Sequence, residues 1–114
     1  MLHRIFLLAV TALWTMGFSD PYLRPVTASY YATGAITANG EPFYPAGLTA
    51  AHRRYPFGTL LRVRNTANNL EVVVRVNDRG PYIDGRALDL SVGAAMRLGM
   101  IDTGLADVII TVVK

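Results

Sequence analysis

Residues 70–81 read Leu-Glu-Val-Val-Val-Arg-Val-Asn-Asp-Arg-Gly-Pro. Over Leu70 to Val76 the side chains alternate, with Leu70, Val72, Val74 and Val76 opposed to Glu71, Val73 and Arg75. A period of two in residues that suit a pleated backbone predicts a β-strand with one face in a core. Asp78-Arg79-Gly80-Pro81 ends the run, since proline lacks the ladder N–H and glycine has no side chain to pack. Just upstream, Thr59 to Asn65 (TLLRVRN) alternates in the same way, Leu61 and Val63 against Arg62 and Arg64. The connection through Ala67-Asn68-Asn69 is short enough for a hairpin.

Working outward, Thr27 to Thr33 (TASYYAT) has the β-branched and aromatic content of a first strand. Asn39-Gly40 is a turn signal, and Glu41 to Gly58, with three prolines and two glycines, predicts a long irregular excursion. Asp84-Gly85 turns the chain again before a strand over Arg86 to Leu90. Ser91 is placed to cap a helix whose apolar positions are Val92, Ala95, Met96 and Gly99, and Gly99 suits a left-handed C-terminal residue. Ala106 to Val113 (ADVIITVV) is apolar on both faces, as expected of a strand buried in a closed sheet. Five or six short strands and one helix in about 85 residues predict a mainly β fold, a small closed barrel with one or two short helices.

The N-terminus predicts an exported protein. His3 and Arg4 precede a 14-residue, mostly apolar stretch, Ile5 to Phe18, too short for the roughly 20 residues that span a bilayer and suited to a signal-peptide core. Residues 1–19 are therefore read as a signal peptide, 20–26 as an extended linker with prolines at 21 and 25, and 27–114 as the barrel domain. The destination is the periplasm, the cell wall or the extracellular space. The chain has no cysteine, which excludes a disulfide framework, a thiolate nucleophile and a lipid-accepting cysteine, so no stable membrane anchor is expected after cleavage. Removing Arg4 from the 11 basic residues leaves 10 against 8 acidic ones. The arginines are scattered rather than clustered with aromatics, so no nucleic-acid partner is expected; a monomer is.

The polar residues that carry chemistry sit in loops. Asp78 lies where a core strand ends, so its carboxylate is held on a rigid element at the barrel rim, as a general acid requires; an ordinary turn with Asp78 bonded to backbone amides is the alternative. Glu41 follows the Asn39-Gly40 turn, and two carboxylates on facing loops can do glycosidic chemistry. His52, the one histidine outside the leader, can orient a carboxylate or bond a sugar; alone and without cysteines it implies no zinc site. Tyr31, Asn77 and Arg79 are the candidate substrate-binding side chains. Asp89, just before Ser91, is expected to satisfy helix-end amides. Of the aromatics Tyr30, Tyr31, Phe43, Tyr44, Tyr55 and Phe57, one or two are expected to stack on sugar and the rest to be core.

Taken together, Thr37-Ala38-Asn39-Gly40-Glu41, Leu48-Thr49-Ala50-Ala51-His52, Pro56-Phe57-Gly58-Thr59-Leu60, Val74 to Pro81 and Asp89-Leu90-Ser91 resemble the successive motifs of the rare lipoprotein A family, in order and spacing, from Ala28 to Val113. The resemblance implies a six-stranded double-psi β-barrel and an endolytic peptidoglycan transglycosylase. Such an enzyme cuts between N-acetylmuramic acid and N-acetylglucosamine without water, leaves 1,6-anhydro ends, prefers peptide-stripped strands and needs no cofactor. It also implies Asp78 as the catalytic acid with Glu41 and His52 as companions, the three gathered around one groove. The chain departs from the family at Ser29-Tyr30-Tyr31-Ala32, where Ser-Trp-Tyr-Gly is usual. It is also about three residues shorter before Glu41 and lacks a basic stretch there, and no C-terminal glycan-binding domain is expected. Two alternatives stay open: a non-catalytic, expansin-like barrel that binds or loosens wall glycan, and a small inhibitor or interaction domain on the same fold.

Overall fold

The computed structural model describes residues 23–114. The expected signal peptide and the first residues of the expected linker lie outside the described residues. Six strands form one closed barrel: β1 (Val26–Tyr31), β2 (Thr49–Ala51), β3 (Leu60–Asn65), β4 (Glu71–Asp78), β5 (Leu88–Ser91) and β6 (Ala106–Val112). Around the barrel they run β1-β5-β2-β4-β3-β6. The β1/β5 and β2/β4 pairs are parallel and the other four antiparallel. β1 and β2, like β4 and β5, follow one another in the chain but are not neighbours in the barrel, so the long loops between them have to cross a barrel end.

The alternation in β3 and β4 builds the core as expected. Leu61, Val63, Val74 and Val76 are fully buried, with Leu88, Leu90, Leu98, Met100 and Val108 around them. The hairpin pairs Leu60 with Arg75 and Arg64 with Glu71, and Asn69 takes the positive φ of 64° that the turn requires. Leu70 departs from the expectation: it precedes the strand and is exposed. β6 departs too. It is bonded on both sides, but only Val108 and Ile109 are buried, while Val112 and the following Val113 lie open, because no other element among the described residues covers the barrel's outer face there. The expected irregular segment 41–58 contains a three-residue strand, β2, that composition does not mark.

One short helix, α1 (Val92–Arg97), follows β5 directly. Ser91 caps it as expected: its Oγ accepts from the Ala94 amide at 3.3 Å and donates to the Gly47 carbonyl at 2.6 Å. Gly99 has the left-handed φ of 64°. The buried face is Ala94, Ala95 and Leu98, not the expected stripe through Met96, which is exposed. A helix this short packs by its first turn against the 45–47 loop, where the Gly93 amide donates to the Pro45 carbonyl at 2.8 Å.

Candidate active site

β4 stops alternating at its end. Ala50 pairs with Val76 but Ala51 pairs with Asp78, so Asn77 is an extra residue in the ladder. Strict alternation would send Asp78 to the core face with Val72, Val74 and Val76. The bulge turns it away instead, which is what such insertions do beside functional sites. Asn77 is left 2% exposed.

Three donors converge on the half-buried Asp78 carboxylate. The amides of Ala38 and Arg79 each donate to Oδ1 at 2.9 Å, and the Tyr31 hydroxyl donates to Oδ2 at 3.1 Å. Tyr31 is itself fixed by stacking on Phe43, ring centroids 4.5 Å apart. Burial and the Asp78 carboxylate push the Tyr31 hydroxyl well above the ordinary range, so it stays a protonated donor.

Glu41 is fixed from the other side. Its carboxylate accepts from both Arg75 terminal nitrogens, at 2.7 and 3.2 Å, and from the Asn39 side-chain Nδ2 at 2.9 Å. The Arg75, Asn39 and Asn77 side chains hold it down to about 2, so it is an anion at neutral pH. His52 is the opposite case. Its Nδ1 accepts from the amides of Arg54 and Tyr55 at 3.0 and 3.1 Å, which leaves the proton on Nε2. Burial, then the guanidinium groups of Arg53, Arg79 and Arg54, push the imidazole down, so the ring is neutral.

The backbone ties all three to the end of β4. The His52 amide donates to the Asp78 carbonyl at 3.2 Å, and the Asn39 amide to the Asn77 carbonyl at 3.1 Å. Among the described residues no side-chain hydrogen bond joins Glu41 or His52 to the Asp78 carboxylate. Glu41 lines a hollow of about 260 Å³ with Tyr44, Thr49, Arg75 and Asn77. His52 lines another of about 330 Å³ with Arg53, Arg54 and Ala87.

Of the three expected substrate-binding side chains, Tyr31 touches Asp78. Asn77 is 2% exposed and lines the Glu41 hollow, and the Arg79 guanidinium lies over the Phe57 ring and donates to the carbonyls of Tyr55 and His52. The expected helix-end role of Asp89 needs correcting: its carboxylate accepts from the Ser29 hydroxyl at 3.0 Å, because Ser91 already caps the helix. Burial pushes Asp89 up, and Asp78 adds to the rise. The sequence reading missed this second carboxyl; its signal was the isolated acid between Leu88 and Leu90, across from Ser29 in the parallel β1/β5 register. Among the described residues no three acidic or histidine side chains are grouped as a metal site needs.

The closed barrel finds counterparts among solved structures. A Streptomyces papain inhibitor superposes with a TM-score of 0.67 at 21% identity, covering 82% of this chain and 96% of its own. The Clavibacter michiganensis expansin gives 0.64 at 22%, covering 81% and 50%; at these identities the likeness is one of fold. In sequence, a Nostoc protein named "Probable endolytic peptidoglycan transglycosylase RlpA" is 56% identical over 75% of this chain and 24% of its own. The Pseudomonas aeruginosa protein named endolytic peptidoglycan transglycosylase RlpA is 49% identical over 83% and 29%. The chain thus spans about a quarter to a third of the length of these relatives. The family model described as lytic transglycolase matches residues 24–110, from before β1 into β6, and the chain belongs to that family.

Proposed function

We propose that the barrel is a lytic transglycosylase that acts outside the cytoplasm, in the periplasm or the wall, on the glycan strands of peptidoglycan. The observation that carries this reading is the Asp78 carboxylate, turned out of the core by a bulge and aimed by three donors in a chain of the lytic transglycolase family. In the proposed reaction the C6 hydroxyl oxygen of N-acetylmuramic acid attacks its own C1. The O6–C1 bond forms as the bond from C1 to O4 of the next N-acetylglucosamine breaks. One proton leaves O6 and one arrives on O4, so no water enters and a single carboxyl group can make both transfers in turn.

Asp78 is assigned that role. Glu41, already an anion bound to Arg75, is not the acid; it fixes the 37–41 loop whose Ala38 amide aims Asp78. His52 supplies a neutral Nε2–H for a sugar oxygen. Asp89, whose carboxyl is pushed up by burial and by Asp78, is a second acidic group that interacts with the assigned one. The test is to incubate the purified protein with peptide-free glycan strands and weigh the products. New 1,6-anhydro ends are expected. Reducing ends would mean hydrolysis and overturn the lytic step.

A second reading, an expansin-like barrel that binds glycan without cutting it, is favoured by one observation: Glu41 and His52 open onto separate hollows. Strand binding with no new ends of either kind would select it.

A further inference from the structure

Among the described residues, the hollow beside His52 is lined by His52, Arg53, Arg54 and Ala87, with no acidic side chain. His52 presents Nε2–H, since both amides of the following turn occupy Nδ1. Arg53 and Arg54 complete the lining with Ala87. The Arg53 guanidinium donates to the Arg86 carbonyl at 3.3 Å. Two ion pairs occur among the described residues, Arg62–Glu71 and Arg75–Glu41, so neither Arg53 nor Arg54 has a carboxylate partner there. The charges that bear on the imidazole are the three guanidinium groups of Arg53, Arg79 and Arg54. At about 330 Å³ the space takes one anionic group with its immediate attachment. One of its lining residues is tied to the backbone of the assigned acid, since the His52 amide donates to the Asp78 carbonyl.

We propose that this hollow is an anion subsite that takes a carboxylate carried by the muramyl residue at the cleavage point. The proposal rests on peptidoglycan being the substrate. Guanidinium groups recognise carboxylates by paired, charge-assisted donors, and a muramyl residue is the sugar of that polymer that carries one. The carboxylate has two sources: the lactyl group of a bare strand, or the stem peptide of a substituted one. A neutral chitin-type oligosaccharide has the same backbone and neither group.

The test measures the affinity of the protein and of the Arg53→Gln/Arg54→Gln variant for four probes. These are peptide-free strands, the same strands with their carboxyls converted to methylamides, peptide-bearing strands, and chitohexaose. Arg62→Gln, which removes a surface charge elsewhere on the barrel, is the control. The double variant is expected to lose about tenfold or more on carboxylate-bearing strands, nothing on methylamidated strands or chitohexaose, and Arg62→Gln to lose nothing. Loss on bare strands assigns the lactyl carboxylate; loss confined to peptide-bearing strands assigns the stem peptide. Equal loss on all four probes, no loss on any, or the same loss in Arg62→Gln overturns the subsite. Wild-type product masses are read separately. Carboxylate-dependent binding without anhydro ends would leave the subsite standing and remove the enzymatic reading.

Discussion

The hairpin side of the barrel and its rim are built by different rules, although β4 runs through both. From Glu71 to Val76 that strand obeys a period of two, and Val72, Val74 and Val76 fill the core against Leu61 and Val63. Within the next two residues the period fails. Asn77 is squeezed into the ladder, Asp78 is turned out, and the surrounding loops are held by polar contacts to Asp78, Glu41 and Arg79. Apolar burial is non-directional and tolerates exchange of one side chain for another of similar volume. The rim relies on directional bonds, each of which aims a particular atom. The first side should govern whether the chain folds, and the second what the folded chain does.

The largest expected effect lies on the hairpin side. Leu61→Ala empties a fully buried site and should cost about 2–5 kcal/mol of stability, measured by denaturant unfolding, with activity per folded molecule unchanged. A fall in activity of the folded fraction would mean that the two sides are not separate. Gly93→Ala tests the seam between them. A Cβ there would sit 2.5 Å from the Ala46 carbonyl oxygen and 2.9 Å from that of Gly47, so the loop must shift. A loss of about 1–3 kcal/mol together with reduced activity is expected; unchanged melting would show that the seam is looser than this packing.

At the rim the effects on stability are smaller. Tyr31→Phe keeps the stack on Phe43 and removes the donor to Asp78. It should lower kcat about tenfold with KM and melting nearly unchanged, whereas a change in KM alone would make Tyr31 a sugar contact. The smallest effect is one of pH. Glu41 is held at about 2 against an ordinary 4.5. Its pairing therefore contributes stability that is complete above about 4.5 and lost as pH falls from there through about 2. Melting temperature against pH should fall more steeply across that window in the wild type than in Arg75→Gln. Parallel curves would show that the pair adds nothing in solution.

The same contrast explains what could be read from the residues. The β3/β4 hairpin, the Ser91 cap and the Gly99 terminus were legible because each follows from local spacing or from one residue's backbone preference. The places of Met96 and Val112 were not, because which face is covered depends on the neighbouring element rather than on the segment itself. At the rim, the position of Asp78 at a strand end was legible but its direction was not, since a bulge is set by pairing with the distant β2. Asn77 and Arg79 read as ligand-facing because they flank Asp78; the bulge that packs one and the loop carbonyls that hold the other come from segments distant in sequence. Asp89 read as a helix cap because it is one residue from Ser91; only the parallel register with β1 brings it to Ser29.

The most direct test is Asp78→Asn, which keeps an acceptor for the Ala38 and Arg79 amides and removes the group that can exchange a proton. With melting held near that of the wild type, 1,6-anhydro ends from peptide-free strands should fall by about a thousandfold. A folded variant that still releases them at the wild-type rate would contradict the assignment of the chemistry to this carboxylate.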